Sequence, residues 1–151
     1  MAHHINAVLL KGPFDEGRAE SFGLKPLRLT KEITLFPLDA EYLDSLSERL
    51  GIDGWVSKHP LFNHRVVHHM IRSVAEKPLF AVIETDYVGG DGSQCAAVYR
   101  GEEQVMAPEE ARRGPINKAL RLLGVRRSFR RDEFDTVGLE KFRDFDDLFD
   151  E

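Results

Sequence analysis

The sequence predicts an α+β domain: a sheet of four to six strands, antiparallel or mixed, with three main helices packed on one side of it. Three observations lead there. Residues 80–106 run as an apolar segment, a glycine-rich break, a second apolar segment, a short polar break and a last strand-like piece. Earlier in the chain Leu27, Leu29, Ile33 and Leu35 recur with a period of two, the spacing of side chains on one face of a strand. The period then changes, and the neighbourhoods of 39–50, 62–75 and 115–123 place apolar residues at helical spacing.

The centre of the prediction is residues 79–83, Leu-Phe-Ala-Val-Ile, an almost continuous apolar run that suits a strand covered on both faces. Beyond it, alternation places Glu84 and Asp86 on the face of Val82, and Thr85 and Tyr87 on the face of Ile83. Gly89, Gly90 and Gly92 fall in a loop taken to span residues 89–94, where backbone with positive φ is accessible. A phosphate cradle would need a helix after those glycines. Instead Cys95, Ala96, Ala97, Val98 and Tyr99 continue as a strand. Two uses of the acidic residues remain open. Glu84, Asp86 and Asp91, with Ser93 and Gln94, could gather at the loop as oxygen ligands or as an enzyme site. Alternatively, Glu84 pairs across the hairpin with Arg100 and Asp91 is a turn residue.

Taken in order, residues 5–10 read as a first strand, and residues 13–23 as a short helix with Ala19 and Phe22 inward and Gly23 at its exit. The alternating segment is one or two strands broken near residues 30–32. Asp39 caps the next helix, whose stripe is Tyr42, Leu43, Leu46 and Leu50 and whose stop is Gly51. Trp55 is expected to cover an edge of the core. The following helix buries Phe62, Val66, Val67, Met70, Ile71 and Val74. Pro108 is expected to start a helical turn, and Gly114-Pro115 to open a helix with Ile116, Ala119, Leu120 and Leu123 inward and Gly124 at its end.

His64 and His68 are four residues apart and would share a helix face, the spacing of a metal-binding pair. Arg65 and Arg72 lie on the same side with no carboxylate among them, which disfavours a dication. The intervening residues Arg65, Val66 and Val67 also lack the glutamate of a zinc protease. The expectation is a solvated basic face that gains charge as pH falls, and no metal.

Length and composition bound the function classes. A chain of 151 residues is most economically one domain, 1–151, with an acidic C-terminal segment at 132–151. Hydrophobic residues at 42% and charged residues at 31% fit a soluble protein, and no apolar run approaches the roughly 18 residues of a membrane span. The N-terminus lacks the basic start and long apolar stretch of a secretory signal. A single cysteine, Cys95, fits a reducing interior, so a cytoplasmic location is expected, and nothing beside it in sequence would activate it. The net charge of −5 argues against whole-surface attraction to nucleic acid. The charge is segregated, however: residues 111–131 hold eight basic and no acidic residues, and residues 132–151 hold nine acidic residues against Lys141 and Arg143. A basic surface built from Arg112, Arg113, Lys118, Arg121, Arg126 and Arg127 could meet phosphates, but only Phe129 interleaves an aromatic. The acidic segment, with Phe134, Leu139, Phe142, Phe145, Leu148 and Phe149, could instead fold back or grip another protein.

Two stretches, ETDYVGGDGSQCAAVY and GPINKALRLLGV followed by DEFDTVGL, resemble an uncharacterised family of small bacterial proteins. Its members share an E-x-D-Y-x-G-G-x-G-x-Q hairpin and a P-I-N-x-A-L-x-x-L-G helix. The likeness covers about the C-terminal half of the chain; it implies a bacterial origin and one intact domain type, and brings no activity, ligand or catalytic residue. With no assembled nucleophile, base and oxyanion set in the sequence, the expectation is a cytosolic, non-catalytic interaction or regulatory protein of the immunity type, with another protein or a second copy as partner, and with no cofactor and no membrane. Two alternatives stand beside it: a small-molecule or metal-assisted enzyme using the carboxylates near residues 89–94, and nucleic-acid binding through residues 112–131.

Overall fold

The computed structural model describes residues 2–56, 64–88 and 91–126. Its strands are β1 (Ala2–Lys11), β2 (Leu27–Arg28), β3 (Ile33–Pro37), β4 (Leu79–Val88), β5 (Asp91–Arg100) and β6 (Glu103–Ala111); its helices are α1 (Glu16–Ser21), α2 (Ala40–Leu50), α3 (Arg65–Val74) and α4 (Pro115–Leu122). The strands form one sheet in the order β2-β3-β1-β4-β5-β6, with every neighbouring pair antiparallel. The predicted α+β class therefore holds, with six strands.

The two central strands, β1 and β4, carry the apolar runs at 7–10 and 80–83, whose side chains are fully buried. Alternation splits them between two cores. Val8, Leu10, Phe80, Val82, Ala97 and Tyr99 meet α1, α2 and α3 on one face, while Ala7, Leu9, Ala81, Ile83, Ala96 and Val98 meet α4 on the other. The expectation of helices on one side is thus corrected. The reason is that both faces of β1, β4 and β5 are apolar, so a single helical layer would leave a whole sheet face in water.

Local signals explain most element ends. Asp39 caps α2 by accepting from the Glu41 amide at 3.0 Å, and Gly51 closes it with φ 67°. Asp15 caps α1 through the Arg18 amide at 3.0 Å. Pro115 occupies the first turn of α4, where its missing N–H removes no helical bond.

Two boundaries differ from expectation. Pro108 lies inside β6 rather than in a helical turn; β6 is an edge strand, and the pairing shifts between Ala96 and Val98, a bulge that tolerates a residue with no N–H. Likewise, β5 begins at Asp91, so Asp91, Gly92, Ser93 and Gln94 are paired strand residues rather than loop. Gly92 sits opposite Tyr87 with φ 144°, and a Cβ there would stand 1.9 Å from the Asp86 carbonyl oxygen. Glycine is required at that point because the neighbouring backbone comes too close for any side chain. Gly89, Gly90, Phe62, Arg127, Phe129 and the acidic segment 132–151 lie outside the described residues.

Candidate functional site

The five residues singled out near the hairpin fall on two faces of the sheet. Asp86 faces Ser93, Glu84 faces Cys95, and Asp91 faces Val88, all in one alternation set. Gln94 belongs to the other. Its Oε1 accepts from the Ile116 amide at 2.7 Å, and its Nε2 donates to the Tyr87 hydroxyl at 3.0 Å. The Tyr87 hydroxyl in turn donates to the Arg112 carbonyl. Gln94 is therefore the N-terminal cap of α4, supplied from β5 because Gly114, at the cap position, has no side chain to accept from that turn.

On the opposite face an Asp86 carboxylate oxygen lies 2.9 Å from His4 Nδ1, and Asp86 is 70% exposed. The register places Arg100 opposite Leu79, so the expected pairing of Glu84 with Arg100 does not form. Instead Asn6, Glu84, Cys95 and Glu110 make one cross-strand row. The Cys95 thiol donates to Glu110 Oε2 at 3.2 Å. Burial, then that hydrogen bond and the charges of Glu110 and Glu84, push its pKa up to about 12, the reverse of what a nucleophilic thiolate needs. Among the described residues no three His, Cys, Asp or Glu side chains gather as a metal site.

The basic surface forms around α4. Ile116, Ala119, Leu120 and Leu123 are sealed against the sheet, while Arg112, Arg113, Lys118, Arg121 and Arg126 are exposed. Lys118 pairs with Glu109 at 3.0 Å. Leu122, 41% exposed, shares the outer face with Lys118 and Arg121. This surface lies on the far side of the sheet from α1, α2 and α3.

The histidines depart most from expectation. His68 is only 8% exposed and makes edge-to-face contacts with Tyr99 and Phe80, ring centroids 4.5 and 5.2 Å away. Burial, followed by the nearby charge of Arg72, pushes its pKa down to about 4. The expected solvated face that charges on acidification is corrected here: β4 and β5 lay two aromatic rings under the helix, which the helix sequence alone cannot reveal. His64 precedes α3 and stacks on Trp55 with centroids 4.0 Å apart. Burial lowers its pKa, opposed by Asp44. Trp55 itself is 51% exposed, so it does not cover the core as expected.

Sequence reasoning placed Arg65, His68 and Arg72 on one side of the helix but missed His69 beside them and the cavity that the four line. The signal was available in their spacing of i, i+3, i+4 and i+7, which defines a single helix face. No family model, curated protein or solved structure matches the chain. Among the described residues no helix is long and apolar enough to cross a membrane.

Proposed function

We propose that this chain is a non-catalytic interaction protein that presents the basic α4 face to an acidic protein partner. The observation that carries the reading is the outer surface of α4, where Lys118 and Arg121 flank exposed Leu122, with Arg112, Arg113 and Arg126 at the helix ends. A surface apolar residue ringed by cations suits a partner with carboxylates around an apolar contact. Phosphate backbones offer less to the leucine. Supporting this, the side chains best suited to chemistry near the hairpin serve the fold: Gln94 and Tyr87 hold α4, and the Cys95 thiol is kept protonated. The single thiol also supports a reducing, cytoplasmic setting, and the family resemblance supports a bacterial origin.

The test is affinity capture from cells expressing the tagged chain, at physiological salt, with and without nuclease. Wild type should retain a protein that the Arg113→Glu, Arg126→Glu double variant loses, with nuclease having no effect. Capture that disappears with nuclease would transfer the surface to nucleic acid, and capture of the chain alone would mean self-association. Recovery of no partner would overturn the proposal.

A further inference from the structure

On the opposite side of the sheet from α4, a cavity of about 550 Å³ opens between α3, the segment after α2 and the β5–β6 turn. One wall is the α3 face formed by Arg65, His68, His69 and Arg72. The spacing of these residues is that of a helix's buried stripe, yet the true core stripe, Val66, Val67, Met70, Ile71 and Val74, lies on the other side of the same helix. The second wall is apolar, from Ile52 and Val56, the latter 38% exposed. The third is Glu102, whose carboxylate holds Arg72 Nη1 at 2.6 Å while the side chain is 86% exposed.

The charges within this cavity do not cancel. Arg65 and Arg72 bring two permanent positive charges against the one carboxylate of Glu102, and Arg65 makes no ion pair among the described residues. His68 stands at the back, neutral at physiological pH because of its burial, fixed over Phe80 and Tyr99. Glu102 thus occupies one guanidinium from a turn exposed to solvent, as an internal anion that an incoming one could displace. Two arginines lining one cavity match an anion carrying more than one negative charge, and a phosphate monoester has close to two at neutral pH. The flanking Ile52 and Val56 would receive an apolar body attached to it.

We infer that the α3 cavity is a binding site for a phosphorylated small molecule, its phosphate held by Arg65 and Arg72 in place of Glu102 and its apolar part against Ile52 and Val56. The site is separate from the α4 surface and does not depend on the reading given to that surface.

The 151-residue chain, labelled with ¹⁵N, is titrated with phenyl phosphate, inorganic phosphate and benzoate, following amide shifts and fitting affinity. Phenyl phosphate should shift residues of α3 and the 101–102 turn and bind about tenfold or more tighter than either other probe. Arg65→Gln should weaken phenyl phosphate about tenfold or more, and Glu102→Gln should tighten it about two- to fivefold by removing the competing carboxylate. Because Arg65 and Glu102 are exposed, both variants should fold, as their spectra would verify. Shifts confined to the arginines around α4, tighter binding of benzoate, or equal affinity across wild type, Arg65→Gln and Glu102→Gln would each overturn the inference.

Discussion

Replacing Gln94 by alanine separates a structural role from a ligand-binding one, because its two hydrogen bonds have different worth in each account. Loss of the Oε1 acceptor leaves the Ile116 amide without its cap, which costs about 1 kcal/mol. Loss of the Nε2 donation to Tyr87 removes about 1 kcal/mol more. Gln94→Ala should therefore lower stability by about 2 kcal/mol, equivalent to about 4–8 °C in Tm for a chain of this length, and should speed amide exchange in α4 before the rest of the fold. Gln94→Glu keeps an acceptor and adds negative charge at a helix N-terminus, a gain of about 0.3–1 kcal/mol set against the lost donor. It should lie within about 1 kcal/mol of wild type. Urea unfolding of the three proteins, with hydrogen exchange read by mass spectrometry, makes the comparison. If Gln94→Ala unfolds at the wild-type midpoint, or Gln94→Glu is the less stable of the two, Gln94 does not cap α4 and the assignment fails.

Three further outcomes follow from the geometry. Gly92→Ala should destabilise by about 3 kcal/mol or more, since the added Cβ meets the Asp86 carbonyl in a backbone conformation that L-residues resist; a midpoint near wild type in chemical denaturation would contradict the close approach. The folded pKa of Cys95, about 12, lies above its ordinary value of 9.0, so the unfolded chain releases that proton first. Stability should then fall as pH rises from about 9 toward 12, and this part of the decline should be absent in Cys95→Ala when unfolding is measured across that range. His68 has the opposite linkage: its folded pKa of about 4 lies below the ordinary 6.5, so the unfolded chain takes up the proton first and stability is lost as pH falls between those values. His68→Phe, which keeps a ring against Phe80 and Tyr99, should remove that loss; an unchanged acid profile would show that another group causes it.

Much of the fold was legible because its signals are local. Asp39 and Gly51 mark both ends of α2, Gly114-Pro115 marks the start of α4, and the apolar run at 79–83 does lie in a central strand. What was not legible depends on partners distant in sequence. Gln94 looked like a ligand residue because its partner, the Ile116 amide, comes from a helix placed on the far face of the sheet. His68 looked solvated because the rings beneath it belong to β4 and β5. Pro108 looked like a helix start, since proline favours a first helical turn as readily as an edge-strand bulge. The cavity beside α3 was half visible, in the spacing of Arg65, His68, His69 and Arg72, but the carboxylate that completes it comes from the turn at Glu102.

The interaction surface is tested most directly by placing a photocrosslinking amino acid at position 113, beside α4, or at position 48, on the exposed face of α2, and irradiating cells that express each variant. One discrete protein adduct is expected from position 113 and should be missing from position 48. The same adducts from both positions, an adduct to nucleic acid, or none from position 113 would contradict it.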